Sequence, residues 1–126
     1  MKEVLWVSIG SFFGGGMRFL VSKVVQTYSV LSFPFGTMAV NVLGCLLIGF
    51  LSGLAWSEDN GVLTPGMKLL LTTGFCGGFT TFSTFMNESS ALLKDGQYAY
   101  VMLYVFGSLV LGLLAVLAGH LMGKAI

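Results

Sequence analysis

Phe82 and Phe85 stand three residues apart in the stretch "GFCGGFTTFSTFMNES", Gly74 to Ser89, with Ser83 and Thr84 between them and Glu88 shortly after. At helical spacing the two rings share a face, with hydroxyls beside them. An aromatic ring has a negative face and a positive edge. Ring edges next to hydroxyl and amide donors can hold a small, dehydrated anion without a fixed positive charge. Such a site binds weakly enough for the ion to leave, as conduction requires. Two phenylalanines alone would read as core packing; the polar context points elsewhere.

Other donors repeat at i, i+4, which puts each pair on one helix face. Thr37 precedes Asn41 in this way, and Tyr104 precedes Ser108. Asn41 alone reads as an interhelical hydrogen bond, worth on the order of 1 kcal/mol in a membrane. Ionisable residues inside a span are functional candidates by default. Arg18 follows Gly14, Gly15 and Gly16. It reads equally as a side chain snorkelling to the interface or as a cation at the mouth of an anion path. Glu88 is either an interfacial acid near Lys94 or an acid that orders donors along a polar lining. His120 reads as interfacial.

The elements that carry these residues are membrane helices. The chain has 126 residues, of which 56% are hydrophobic and 9% charged, whereas soluble domains average about 25% charged residues. One domain is expected from this length. A net charge of +1 gives no basic footprint for nucleic acid. Cys45 and Cys76 match no metal or redox spacing and read as small buried thiols. The N-terminal apolar stretch lacks a clear cleavage site and reads as a retained first helix.

A bilayer core of about 30 Å needs about 20 apolar residues per helix, which places spans at about 4–25, 35–56, 65–93 and 98–122. Pro34 and the Thr64-Pro65 pair are start signals. Four crossings put Lys2, Lys68 and Lys124 on one side, against Lys23 and Lys94 on the other. Lys/Arg bias normally orients such a chain, and here it hardly chooses. Partner proteins could settle the orientation. The favoured alternative is dual topology, with copies inserted both ways up and paired as an antiparallel homodimer, a two-chain inverted repeat. The Gly10/Gly14, Gly49/Gly53 and Gly74/Gly78 steps indicate close helix contacts.

The third span is longer than one crossing needs. Gly77 and Gly78 each weaken a helix by about 1 kcal/mol relative to alanine, and the Thr80 and Thr81 hydroxyls compete for backbone groups. A break between about Gly77 and Thr81 is expected. Broken backbone at membrane depth survives only when buried in protein or lining a cavity, and its freed carbonyls need a partner, for which a cation is one candidate.

The stretch "GFCGGFTTFSTF", with Gly14–Arg18 and "GTMAVNVLG" on the second helix, resembles the signature of the Fluc/CrcB family of small four-helix fluoride channels. The resemblance covers the whole chain. It implies an all-α membrane protein with a broken third helix, working as a dual-topology antiparallel homodimer with two fluoride pores. Phe82 and Phe85 would line the pores through their ring edges, and Asn41 would donate to the ion near a pore end. Ser83 and Thr84 would form a polar track, with Tyr104 and Ser108 nearby and Glu88 modulating it. Arg18 would lie at the aqueous vestibule. Gly77 and Thr80 would give backbone carbonyls from both subunits to a structural sodium ion at the dimer interface. The implied activity is passive export of cytoplasmic fluoride across a bacterial-type inner membrane. The rival is a small four-helix proton-coupled multidrug exporter, which needs a membrane-embedded carboxylate on the first helix; only Glu3, at its very start, is available. No nucleophile–base pair, metal cluster or phosphate loop points to an enzyme.

Overall fold

A computed structural model describes residues 1–29, 33–54 and 64–125, and every regular element among them is helical. α1 (Lys2–Thr27), α2 (Phe35–Gly53) and α6 (Tyr98–Ala125) are each long and apolar enough to cross a bilayer. The chain is therefore a multi-pass, all-α integral membrane protein. The expected end of the second span at 56 and the connection "SEDNGVLT" lie largely outside the described residues, as do the middle residues of "QTYSVLSF".

The segment between Pro65 and Lys94 is assembled from pieces. α3 (Pro65–Leu69) starts where Pro65 occupies the first turn and the Thr64 hydroxyl accepts the Met67 N–H at 3.3 Å. From Leu70 to Cys76 the chain winds as a π-helix, then tightens into α4 (Gly77–Phe79). Thr80 is extended, at φ −85° and ψ 158°, and α5 (Ser83–Lys94) begins after Phe82. The break thus falls at Thr80–Phe82, the far end of the expected stretch. Gly77 keeps helical dihedrals of −63° and −38°. Close packing rather than helix-breaking accounts for Gly78, where a Cβ would come within 2.8 Å of the Ser11 carbonyl. α5 ends in a Schellman turn. Gly96 takes φ +75°, with Gln97 N–H on the Leu92 carbonyl and Gly96 N–H on the Leu93 carbonyl, so the chain reverses into α6 within three residues.

Backbone-to-backbone approach sets the packing. A Cβ at Gly49 would run into the Val116 carbonyl, and one at Gly119 into the Leu46 carbonyl, so α2 and α6 lie parallel and nearly touching. Gly10 and Gly14 of α1 meet Leu70 and Phe75 of the π-helix in the same manner. In lipid, which gives no hydrophobic drive between helices, such close contact is what holds a bundle together. The small core joins Phe33, Phe85, Leu92 and Tyr104, while Phe12, Phe19, Leu113 and Leu121 face outward, as lipid-facing residues do.

Candidate ion pathway

The site begins at the break. Asn41 on α2 reaches across and holds Thr81 by both its backbone groups. Its Oδ1 accepts the Thr81 N–H at 2.8 Å, and its Nδ2 donates to the Thr81 carbonyl at 3.0 Å. The Thr81 hydroxyl in turn accepts the Thr84 N–H at 3.3 Å. In a continuous helix those two amides would have bonded the carbonyls of Gly77 and Thr80, four residues back. Both carbonyls therefore lose the donor that a regular helix would supply. The Thr80 hydroxyl folds back onto the Cys76 carbonyl at 2.9 Å.

α1 supports the irregular segment from the other side. Ser11 donates to the Gly74 carbonyl at 3.2 Å, and Arg18 Nε donates to the Gly78 carbonyl at 3.3 Å. Arg18 is half-buried. Its guanidinium is a strut on the backbone just ahead of the break, with its terminal nitrogens left over.

A groove of about 500 Å³ opens beside the break, and Asn41, Gly77, Thr80, Phe82, Phe85 and Ser108 are among its walls. A Cβ built on Gly77 would meet nothing within 4 Å, so its backbone is open to this space. The two phenylalanines have opposite environments. Phe85 is 7% exposed and Phe82 is 73% exposed, with ring centroids 6.3 Å apart. Phe82 precedes the first helical residue of α5, so helix geometry alone does not set its direction, and the single chain leaves that ring uncovered. Phe85 packs against Tyr104 at 4.8 Å.

Beyond Phe85 lies a polar cluster. Thr37 donates to the Glu88 carboxylate, which joins α2 to α5. The Ser108 hydroxyl is buried without a hydrogen-bond partner among the described residues, and the buried Tyr104 hydroxyl lies beside Thr37. A buried hydroxyl without a partner is costly, and Ser108 is one that lines the groove. Ser83 is exposed and Thr84 half-buried, and in the single chain neither is among the groove residues. His120 meets the Ser52 hydroxyl at 3.1 Å, away from this region. Sequence reasoning did not single out Ser11, Gln26 or Phe33. A serine or glutamine on a span carries no periodic signal, and its carbonyl partner appears only when helices are docked.

The profile of the family described as "CrcB-like protein, Camphor Resistance (CrcB)" matches residues 5–120. The chain belongs to the CrcB family. Among its relatives is a protein of Chlorobaculum tepidum named "Fluoride-specific ion channel FluC", 52% identical, with 98% of this chain and 96% of that protein covered. Proteins with the same name from Chlorobium phaeobacteroides and Bacteroides fragilis are 48% and 47% identical. They align with 96% and 98% of this chain, and with 92% and 98% of their own lengths. The CrcB match runs from the start of α1 to His120 near the end of α6 and takes in every pathway residue named above.

Proposed function

We propose that the chain is the subunit of a fluoride-selective channel that lets cytoplasmic fluoride leave passively across the inner membrane, and that it works as an antiparallel homodimer. The near-full-length identity to proteins named as fluoride-specific channels supports the ion's identity. The observation that carries the mechanism is the exposed Phe82 ring beside a groove whose wall includes the unpaired Ser108 hydroxyl. A second, inverted copy laid on this groove covers Phe82 and encloses the anion path. The ion then trades water for ring edges at Phe82 and Phe85, the remaining Asn41 N–H, and the hydroxyls of Ser83, Thr84, Tyr104 and Ser108. No full positive charge stands in that path. Arg18, beside the break, attracts anions to the vestibule, and Glu88 orients Thr37 along the track.

A sodium ion at the dimer axis fits the break. The Gly77 and Thr80 carbonyls lack their helical donors, and neutral carbonyl oxygens suit a hard monovalent cation. The Gly77 and Thr80 carbonyls of both subunits would hold such an ion, which would stand in for the helical donors that the break removes. The exporter alternative has little support, since Glu3 lies in the first turn of α1 and no deeper carboxylate exists on that helix.

Fluoride efflux from protein-bearing liposomes, read with a fluoride electrode, tests the activity. Rapid fluoride release with chloride retained is expected; equal release of both, or of neither, refutes it. For the dimer, a tag on the C-terminus should become accessible on both faces of the membrane in one population of cells. Labelling from a single face would rule out dual topology.

A further inference from the structure

Gln26, near the end of α1, has its side-chain amide engaged at both ends. Nε2 donates to the Phe33 carbonyl at 3.2 Å, and Oε1 accepts the Gly36 N–H at 3.0 Å. The first N–H groups of a helix have no partner within it, and Pro34 makes no side-chain cap for α2. Gln26 fills that place from the neighbouring helix. The two helices are close enough because Gly36 has no side chain; a Cβ there would come within 2.7 Å of the Ser22 hydroxyl.

The residue clamped this way is an aromatic ring. Phe33 is 2% exposed. Its ring meets those of Tyr100 and Tyr104 at 5.6 Å in T-shaped contacts, and Tyr104 meets Phe85 at 4.8 Å. Phe85, Tyr104 and Phe33 form a file of rings leading from the groove towards the membrane face where α2 and α6 begin. Alongside it lie the Thr37–Glu88 hydrogen bond and the buried Tyr104 hydroxyl. Thr37 is only 5% exposed and Tyr104 is 0% exposed. Polar groups one or two turns from a membrane surface would ordinarily be wet, so something must keep water from them, and Phe33 stands at that end.

We propose that Phe33, held by the Gln26 amide, is the aromatic seal that separates the Thr37–Glu88–Tyr104 cluster from water at this end of the pathway. The pathway itself rests on the channel reading above. Phe33 is the ring that an ion must pass after losing its water or before regaining it. Gln26 is a positioning residue that acts only through Phe33 and the first turn of α2.

Access to position 37 tests this without depending on conduction. Cys45→Ala and Cys76→Ala remove the native thiols, Thr37→Cys supplies a reporter, and a charged methanethiosulfonate is added from the water phase to the protein in liposomes. Access through a local opening follows its free energy, so the reporter should react about tenfold faster or more with Phe33→Ala or Gln26→Leu than with both residues intact. Phe33→Tyr, which keeps the ring, should restore the slow rate. A second reporter, Asp95→Cys, in the exposed turn after α5, should be unaffected. Equal rates at position 37 with and without the ring overturn the seal, and so does a rise at both positions, which marks general loosening. If Phe33→Ala fails to reach the membrane, Phe33→Leu and Gln26→Leu carry the comparison. Fluoride efflux measured on the unsubstituted protein separates the two ideas. Its absence refutes the channel, whereas the reporter rates alone decide the seal.

Discussion

Fluoride efflux should fall by about tenfold or more in Phe82→Ile and in Phe85→Ile, since isoleucine has no positive ring edge to offer a dehydrated anion and each 1.4 kcal/mol on a barrier is tenfold in rate. Isoleucine keeps an apolar side chain of similar bulk. The two positions differ in what else they disturb. Phe85 is buried against Tyr104, so its loss also removes an aromatic contact of about 0.5–1.5 kcal/mol and should lower the thermal midpoint in detergent. Phe82 is exposed in the single chain. Its replacement should leave the thermal midpoint of the subunit nearly unchanged while stopping the flux. Efflux and melting measured on both variants separate a ligand from a packing residue. Normal efflux through Phe82→Ile would refute the ring-edge mechanism.

Asn41→Asp should also slow efflux, by about tenfold or more, through the break. The aspartate can still accept the Thr81 N–H, but it puts a carboxylate oxygen where Nδ2 now donates to the Thr81 carbonyl. A buried carbonyl without its donor costs about 1–3 kcal/mol, and more when it faces an anion. The Thr80–Phe82 segment should lose its fixed geometry, and with it the placing of the Phe82 ring and of the Gly77 and Thr80 carbonyls. The added charge also repels an anion in the groove. Both effects point the same way in flux, but only the first lowers thermal stability. Asn41→Leu, which removes the staple without adding charge, should destabilise by a similar amount. Unchanged melting in both variants would show that the staple does not hold the break.

Much of the site was legible because it is written in local spacing. The i, i+4 pairs Thr37/Asn41 and Tyr104/Ser108 do lie on α2 and α6, and Pro65 and Thr64 start α3 as their types demand. The break was legible as a region but not as a residue. Gly77 and Gly78 looked like its cause, yet both stay helical, and at Gly78 it is close packing on Ser11 of α1 that calls for a glycine. Thr80 is the extended residue. The π-helix ahead of it left no signature in the chain, since it answers to Gly10, Gly14 and Ser11 on a helix some sixty positions away.

The amino-acid sequence by itself determined that this is a helical membrane protein of the CrcB family, with a faulted helical segment after Pro65 that carries two phenylalanines and a row of hydroxyls. Composition and spacing are properties of the chain alone, so they could be read there. Only the tertiary structure decided which end of Asn41 meets which backbone atom, that Arg18 braces Gly78, that Glu88 takes its hydrogen bond from Thr37, and that Gln26 clamps Phe33. It also decided that Phe85 is buried while Phe82 is left bare. Each of these depends on the approach of helices distant in the chain. A hydrogen bond or ring contact is set by a few tenths of an ångström of docking, which no local pattern encodes.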